Sequence, residues 1–223
     1  MGPVQLQIRD LTVTRAGRRI IDGLSFDVSA GEALLLTGPN GAGKTTLIRT
    51  LAGYLEPHSG SIDLQGWQPD HDMREACHYV GHLNSNKASL SVLENLRFWQ
   101  AYLTITAPAP SALNDQLWAA MERFEIDPLA DIPAGYLSAG QKRRLGLARL
   151  LVAKRPVWLL DEPTVSLDAR STALLAEVIE EHIAADGLMV AATHLPLGLG
   201  TAGELRLGRQ IVTAAAADGS VGP

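Results

Sequence analysis

Alternating apolar and polar positions open the chain. Val4, Leu6 and Ile8 fall on one phase of a period-2 pattern, and Leu11 and Val13 resume on the other, so the spacing predicts a strand bulged or bent near Asp10. Leu24, Phe26 and Val28 alternate again. Residues 33–36 are instead uniformly apolar, short and bounded by polar residues, the pattern of a parallel strand buried on both faces. A helix is predicted over 47–52, closed by Gly53. Pro57-His58-Ser59-Gly60 reads as a turn into a strand at 61–64, and 77–81 reads as a further strand. The alternating strands predict an antiparallel apron beside a parallel core.

Past His82 the period changes. Ser91-Val92-Leu93-Glu94 has the form of a capping box, after which Val92, Leu96, Trp99 and Leu103 share one helical face. A proline-broken loop at 105–110 precedes a second helical repeat at Leu113, Leu117, Met121 and Phe124. Trp99 and Trp118 are expected to anchor these faces in the core. From residue 157 the strand-and-helix texture returns: a buried strand at 157–160, a helix at 170–185 with Leu174, Leu175, Val178 and Ile179 inward, and a strand at 188–192. A closing hairpin is expected over 205–213 around Gly208, and a disordered tail over 214–223. The expected organisation is one doubly wound α/β domain, 1–213. Its core and apron take 1–82 and 153–213, with a helical sub-domain inserted at 83–152.

Composition narrows the classes. The 223 residues are 46% hydrophobic and 19% charged with a net charge of -5, a globular profile without the concentrated basic charge of a general nucleic-acid binder. No apolar run is long enough to span a bilayer. Residues 1–10 have neither a basic start nor an apolar stretch, so no secretory signal is expected. Cys77 is the single cysteine, which precludes an internal disulfide and reads as a small buried hydrophobe beside Tyr79 and Val80.

The candidate chemistry sits first between the strand at 33–36 and the helix at 47–52. Gly38, Pro39, Asn40, Gly41, Ala42, Gly43, Lys44, Thr45 and Thr46 form a glycine, a four-residue spacer and then Gly-Lys-Thr, the phosphate-loop pattern in its strand–loop–helix setting. Gly41 and Gly43 let backbone N–H groups turn around phosphate oxygens at a helix N-terminus. Lys44 is placed to reach β- and γ-phosphates, and the Thr45 hydroxyl to join Mg²⁺. The strand at 157–160 runs into Asp161 and Glu162 at the sheet edge where open α/β folds place ligands. Asp161 is the candidate Mg²⁺ ligand opposite Thr45, and Glu162 the candidate base for the attacking water. His194 follows the strand at 188–192 onto the same edge. Leu137-Ser138-Ala139-Gly140-Gln141 precedes an amphipathic helix whose first turn carries Lys142, Arg143 and Arg144, charges that oppose the helix dipole. Two readings of this basic cluster stay open: contact with an anion brought by another subunit, or a solvated face.

With these motifs in order, the chain resembles the ATP-binding subunit of an ABC transporter along nearly its whole length. Residues 38–45 match that family's Walker A motif, Leu160-Asp161-Glu162 its Walker B, Ser138-Ala139-Gly140-Gln141 its signature, Ser166-Leu167-Asp168 its D-loop and His194 its switch histidine. The resemblance implies a phosphate-loop, RecA-like core, ATP and Mg²⁺ as ligands, and a head-to-tail ATP-bound homodimer. In it, Ser138, Gly140 and Gln141 of one copy face the Lys44 loop of the other. Two departures stand out. The family's adenine-stacking aromatic is missing from Thr14-Arg15-Ala16-Gly17-Arg18-Arg19, which leaves Arg15 as the candidate. His82 replaces the usual glutamine, as a candidate Mg²⁺ ligand or water-orienting group.

Gly81-His82, Lys87, the stretch 91–99 and the stretch 136–145 further resemble the branch formed by ATP-binding subunits of haem exporters in cytochrome c biogenesis. That branch implies integral membrane partners of the cytochrome c maturation complex and a peripheral place on the cytoplasmic face of the bacterial inner membrane. It implies no nucleic-acid partner. A motor for another export substrate stays open. So does, from a different class, an ABC ATPase acting on nucleic acid or ribosomes, against which the acidic balance weighs.

Overall fold

A computed structural model describes residues 2–67, 73–104, 110–195 and 197–208. Two sheets organise the chain. β1 (Gln5–Arg15), β2 (Arg18–Ser29) and β4 (Ser59–Gln65) form an antiparallel sheet in the order β2-β1-β4. β3 (Ala33–Thr37), β5 (Cys77–Val80), β6 (Val157–Asp161), β7 (Leu188–Ala192) and β8 (Gly203–Arg206) form a parallel sheet in the order β5-β6-β7-β3-β8.

β6 and β7 are buried at every position, because the parallel sheet is covered on both faces and each side chain has somewhere apolar to go. Pleating divides them between two cores. Val157, Leu159, Leu188, Val190 and Ala192 pack with α1 (Lys44–Leu51) and the inward face of β1. Trp158, Leu160, Met189 and Ala191 pack on the opposite side, with α6 (Ala169–Ala184) and the helices α3 (Val92–Leu103), α4 (Pro110–Arg123) and α5 (Ala139–Ala148). The phase change in β1 is real: Leu6, Ile8, Leu11 and Val13 are all buried, the register slips between Ile8 and Leu11, and Asp10 takes φ 46°. The β1–β2 hairpin turns on Ala16 and Gly17, both with positive φ, as a two-residue turn matched to strand twist requires.

Two expectations need correction. Ser59 and Gly60 belong to β4, not to a turn. Gly60 sits at φ 91°, and a Cβ there would stand 2.5 Å from the Arg9 carbonyl oxygen, since the β1 irregularity swings that carbonyl inward. Trp118 is 38% exposed; the inward face of α4 is Leu117, Ala120 and Met121, continued past its end by Phe124, and one residue past Leu117 is a 100° turn away from it. The chain after 203 contributes a parallel strand beside β3; positions 209–213, which would form the second arm of the expected hairpin, and the tail 214–223 lie outside the described residues. The loop expected at 105–110 is also largely outside them. Helix α2 (Met73–Ala76) is a single turn leading into β5. Among the described residues, no helix is long and apolar enough to cross a membrane.

Candidate active site

The C-terminal edge of the parallel sheet carries the site. β3 delivers Gly38, and the chain reverses over Gly38–Gly43 into α1. Gly38 has φ 128°, and a Cβ on it would lie 2.1 Å from the Leu207 carbonyl oxygen. That close approach to the end of β8 admits only glycine. Gly43, at φ 105°, is the N-cap of α1. Lys44 is 7% exposed and its Nζ donates to the carbonyls of Gly38 (2.7 Å) and Pro39 (3.2 Å), so the loop is closed around its own cation. The Ala42 N–H donates to the Pro39 carbonyl at 3.1 Å and reinforces the curl.

β6 brings Asp161 alongside. The Thr45 hydroxyl donates to Asp161 Oδ1 at 3.0 Å, across a sequence gap that only the parallel sheet closes. Glu162 follows in the left-handed region, φ 50°, which is unfavourable for a residue with a Cβ. Its N–H donates to the Ala192 carbonyl at 2.8 Å, tying β6 to β7 at the point where β7 releases His194. The His194 N–H donates to Glu162 Oε2 at 3.3 Å, and His194 Nε2 lies 3.4 Å from Glu162 Oε1. A turn in which Thr193 Oγ1 accepts from the Leu195 N–H at 3.0 Å holds the histidine on the edge.

Lys44, Thr45, Glu162 and His194 line one cavity of about 800 Å³ with His82 and Arg15, while Asp161, 2% exposed, is bonded to Thr45 without lining it. His82 therefore reaches the site, on its exposed rim. Among the described residues it has no bond to Thr45 or Asp161, and no group of three or more His, Cys, Asp or Glu is arranged to hold a metal. The paired Thr45 hydroxyl and Asp161 carboxylate do fit Mg²⁺, which takes few protein ligands and completes its shell with phosphate and water. Arg15 lies beside the hairpin tip, and among the described residues no Phe, Tyr or Trp lines the cavity. Ile20 and Val165 supply apolar wall that the sequence did not flag; both sit in segments whose pattern carries no chemistry.

Ser138, Gly140 and Gln141 are not in this cavity. Ser138 Oγ accepts from the Gln141 N–H at 3.2 Å and Gln141 Oε1 accepts from the Ser138 N–H at 2.8 Å, a reciprocal cap on α5. The basic residues behind it all donate to backbone carbonyls of their own chain. Lys142 Nζ donates to the Gly135 carbonyl at 3.1 Å, and Arg144 donates to the carbonyls of Phe124 and Glu125 beyond the end of α4. Arg143 is 2% exposed and donates to backbone behind Asp161 and Glu162. Position in a helix could not have shown this, because the acceptors come from loops distant in sequence.

Comparison with known proteins agrees with the geometry. The ABC transporter family matches residues 21–165. The chain is 49% identical over 205 residues to the cytochrome c biogenesis ATP-binding export protein CcmA of Rhodopseudomonas palustris (strain HaA2), covering 92% of this chain and 98% of that relative. It is 45% identical to the protein of the same name from Brucella abortus (strain 2308), covering 88% of each. Among solved structures, a putative ABC transporter ATP-binding protein from Pyrococcus furiosus superposes with a TM-score of 0.76 at 24% identity, covering 91% of this chain and 97% of that one. CbiO1 of Clostridium perfringens, part of the ABC transporter complex CbiONQ, superposes with 0.70 at 29%, covering 85% and 78%. The chain belongs to the ABC transporter family, as an ATP-binding subunit of that family.

Proposed function

We propose that this chain is the ATP-hydrolysing subunit of the export complex for haem, or for a haem-loaded chaperone, in cytochrome c biogenesis. One observation carries the hydrolytic part: Lys44, Thr45, Glu162 and His194 line one cavity, with Asp161 bonded to Thr45 and Glu162 to His194. The biogenesis role rests on the likeness to the two export proteins named above.

Mg²⁺ bound at Thr45 and Asp161 would supply charge neutralisation on the phosphates. The N–H groups of Gly41, Gly43 and Lys44 would cradle phosphate oxygens, with Lys44 Nζ leaving its carbonyl partners for the terminal phosphates. Glu162 would accept the proton of the attacking water, and His194, held against the same carboxylate, would steady the transferred phosphoryl group. Arg15 would face the base, and His82 would sense the nucleotide from the opposite rim. Ser138, Gly140 and Gln141 do not line their own cavity, so a second copy arranged head to tail would present them to it. The division into core and apron, 1–82 and 153–213, and a helical layer, 83–152, is part of this reading; Leu96, Leu117 and Phe124 of the helical layer share one apolar cluster with Trp158, Leu160 and Leu175 of the core.

For the membrane partner, exposed Tyr54, Phe98 and Tyr102 surround or border a groove lined by Tyr79, Ser85 and Trp99. Aromatic rings beside the Arg74, Glu75, Arg149 and Arg155 that also line the groove suit a short amphipathic helix of an integral subunit on the cytoplasmic face of the inner membrane.

Glu162→Gln tests the catalytic part. It should keep ATP affinity, lower kcat by about 100-fold or more, as loss of a general base does, and accumulate as an ATP-bound dimer on gel filtration. Near-normal hydrolysis would remove Glu162 as the base. Deletion followed by a covalent-haem stain for c-type cytochromes tests the biogenesis part; normal cytochrome levels would sink it and leave the ATPase standing.

A further inference from the structure

Arg143 spends every N–H of its guanidinium on one small region. Nε donates to the Pro163 carbonyl at 2.9 Å, Nη2 to the carbonyls of Glu162 at 2.6 Å and Asp161 at 3.4 Å, and Nη1 to the Gly81 carbonyl and Asn84 Oδ1, both at 2.9 Å. A guanidinium carries five donors in a rigid fork, so none is left over. The side chain is 2% exposed, and its acceptors are four carbonyls and an amide with no carboxylate among them. Burial pulls its pKa down while the charges of Asp161 and Glu162 oppose that shift. Holding a buried cation on dipoles alone is costly, and stability alone is a poor reason for it.

The acceptors suggest what the cation does. Asp161, Glu162 and Pro163 are consecutive, and turning three successive carbonyls toward one point curls the backbone. Glu162 sits inside that curl at φ 50°, a conformation that persists only where surroundings over-determine it. The same guanidinium ties Gly81 and Asn84, on either side of His82, to the helix that begins at Ser138. We infer that Arg143 is a positioning residue: it holds Glu162 in its strained pose at the cavity wall and locks that pose to the His82 loop and the Ser138 helix.

This rests on Glu162 being the base, so the experiment separates the two. ATP hydrolysis, affinity for a non-hydrolysable ATP analogue and thermal unfolding are measured with Mg²⁺ for Arg143→Gln, Arg143→Lys, Asn84→Ala and Glu162→Gln. Arg143→Gln and Arg143→Lys should each lose about 30-fold or more in kcat, with KM and analogue affinity within about threefold, a split that marks loss of transition-state stabilisation alone. Lysine should not rescue, since a compact ammonium cannot span the fork. Wild-type kcat in either variant would overturn the inference, as would an equal collapse of kcat and analogue affinity, which would mark a general structural role. Should Arg143→Gln and Arg143→Lys fail to fold, Asn84→Ala, which removes one acceptor near the surface, decides: kcat should fall about fivefold at constant KM, and an unchanged kcat would overturn the inference. Full hydrolysis by Glu162→Gln would instead remove the underlying reading; an inactive Glu162→Gln beside an active Arg143→Gln would remove this inference alone.

Discussion

Lowering the pH should destabilise this protein through His78 before its carboxylates begin to protonate. His78 is 1% exposed in the middle of β5, where burial lowers its pKa from 6.5 to about 3, helped by the nearby positive charges of Arg155 and Arg149. As the neutral ring it donates Nε2–H to the Ala153 carbonyl at 2.7 Å. In the unfolded chain the ring is hydrated and titrates normally. Between those two values the unfolded state therefore binds a proton that the folded state refuses, so stability is full above the unfolded value and falls as pH drops below it. At 1.36 kcal/mol per pH unit, the loss by about pH 5 is about 2 kcal/mol. That is a large share of a typical domain's stability of about 5–15 kcal/mol.

His182, half-buried and stacked on Trp158 with ring centroids 3.9 Å apart, is lowered to about 4 by burial and acts in the same direction. Glu125 and Asp168 are held below their ordinary values by Arg170 and by the Ser171 N–H, respectively. Their contributions are present above their unfolded values and vanish only at more acid pH, outside the histidine window. The assay is urea unfolding across about pH 7.5 to 5. His78→Gln keeps a donor for Ala153 and should cost about 1 kcal/mol at neutral pH, the scale of a volume-altering swap, while removing roughly half of the acid slope. An unchanged slope in that variant would refute the assignment.

Two further outcomes follow from the site. Gly38→Ala must move either the loop or the Leu207 carbonyl, 2.1 Å from the new Cβ; nucleotide affinity, read with a fluorescent ATP analogue, should weaken about tenfold or more, a change of about 1.4 kcal/mol per decade, and wild-type affinity would show that the two segments separate freely. Ser138→Ala removes a reciprocal cap and should lower stability by about 1 kcal/mol, yet leave ATP affinity of the single chain unchanged while concentration-dependent hydrolysis collapses; hydrolysis that survives would separate Ser138 from the composite site.

The parallel core was legible because burial on both faces leaves an uninterrupted apolar run, as at β6 and β7, and because phosphate chemistry constrains Gly38 to Thr46 to one local pattern. β8 was legible only in part. Its residues are exposed at three of four positions, so its place beside β3 comes from hydrogen bonding at a sheet edge, which leaves no apolar signature. Trp118 misled because a large ring one position off a helical stripe reads as part of it. Arg143 was the hardest to see. Its neighbours Lys142 and Arg144 look alike in sequence, and what separates the three is where carbonyls from loops far along the chain come to rest. The same holds for Glu162, whose identity follows from the motif but whose left-handed backbone does not. A residue with a Cβ in that conformation signals that something outside the local sequence holds it, and in this fold that something is a buried guanidinium from the helix behind Ser138.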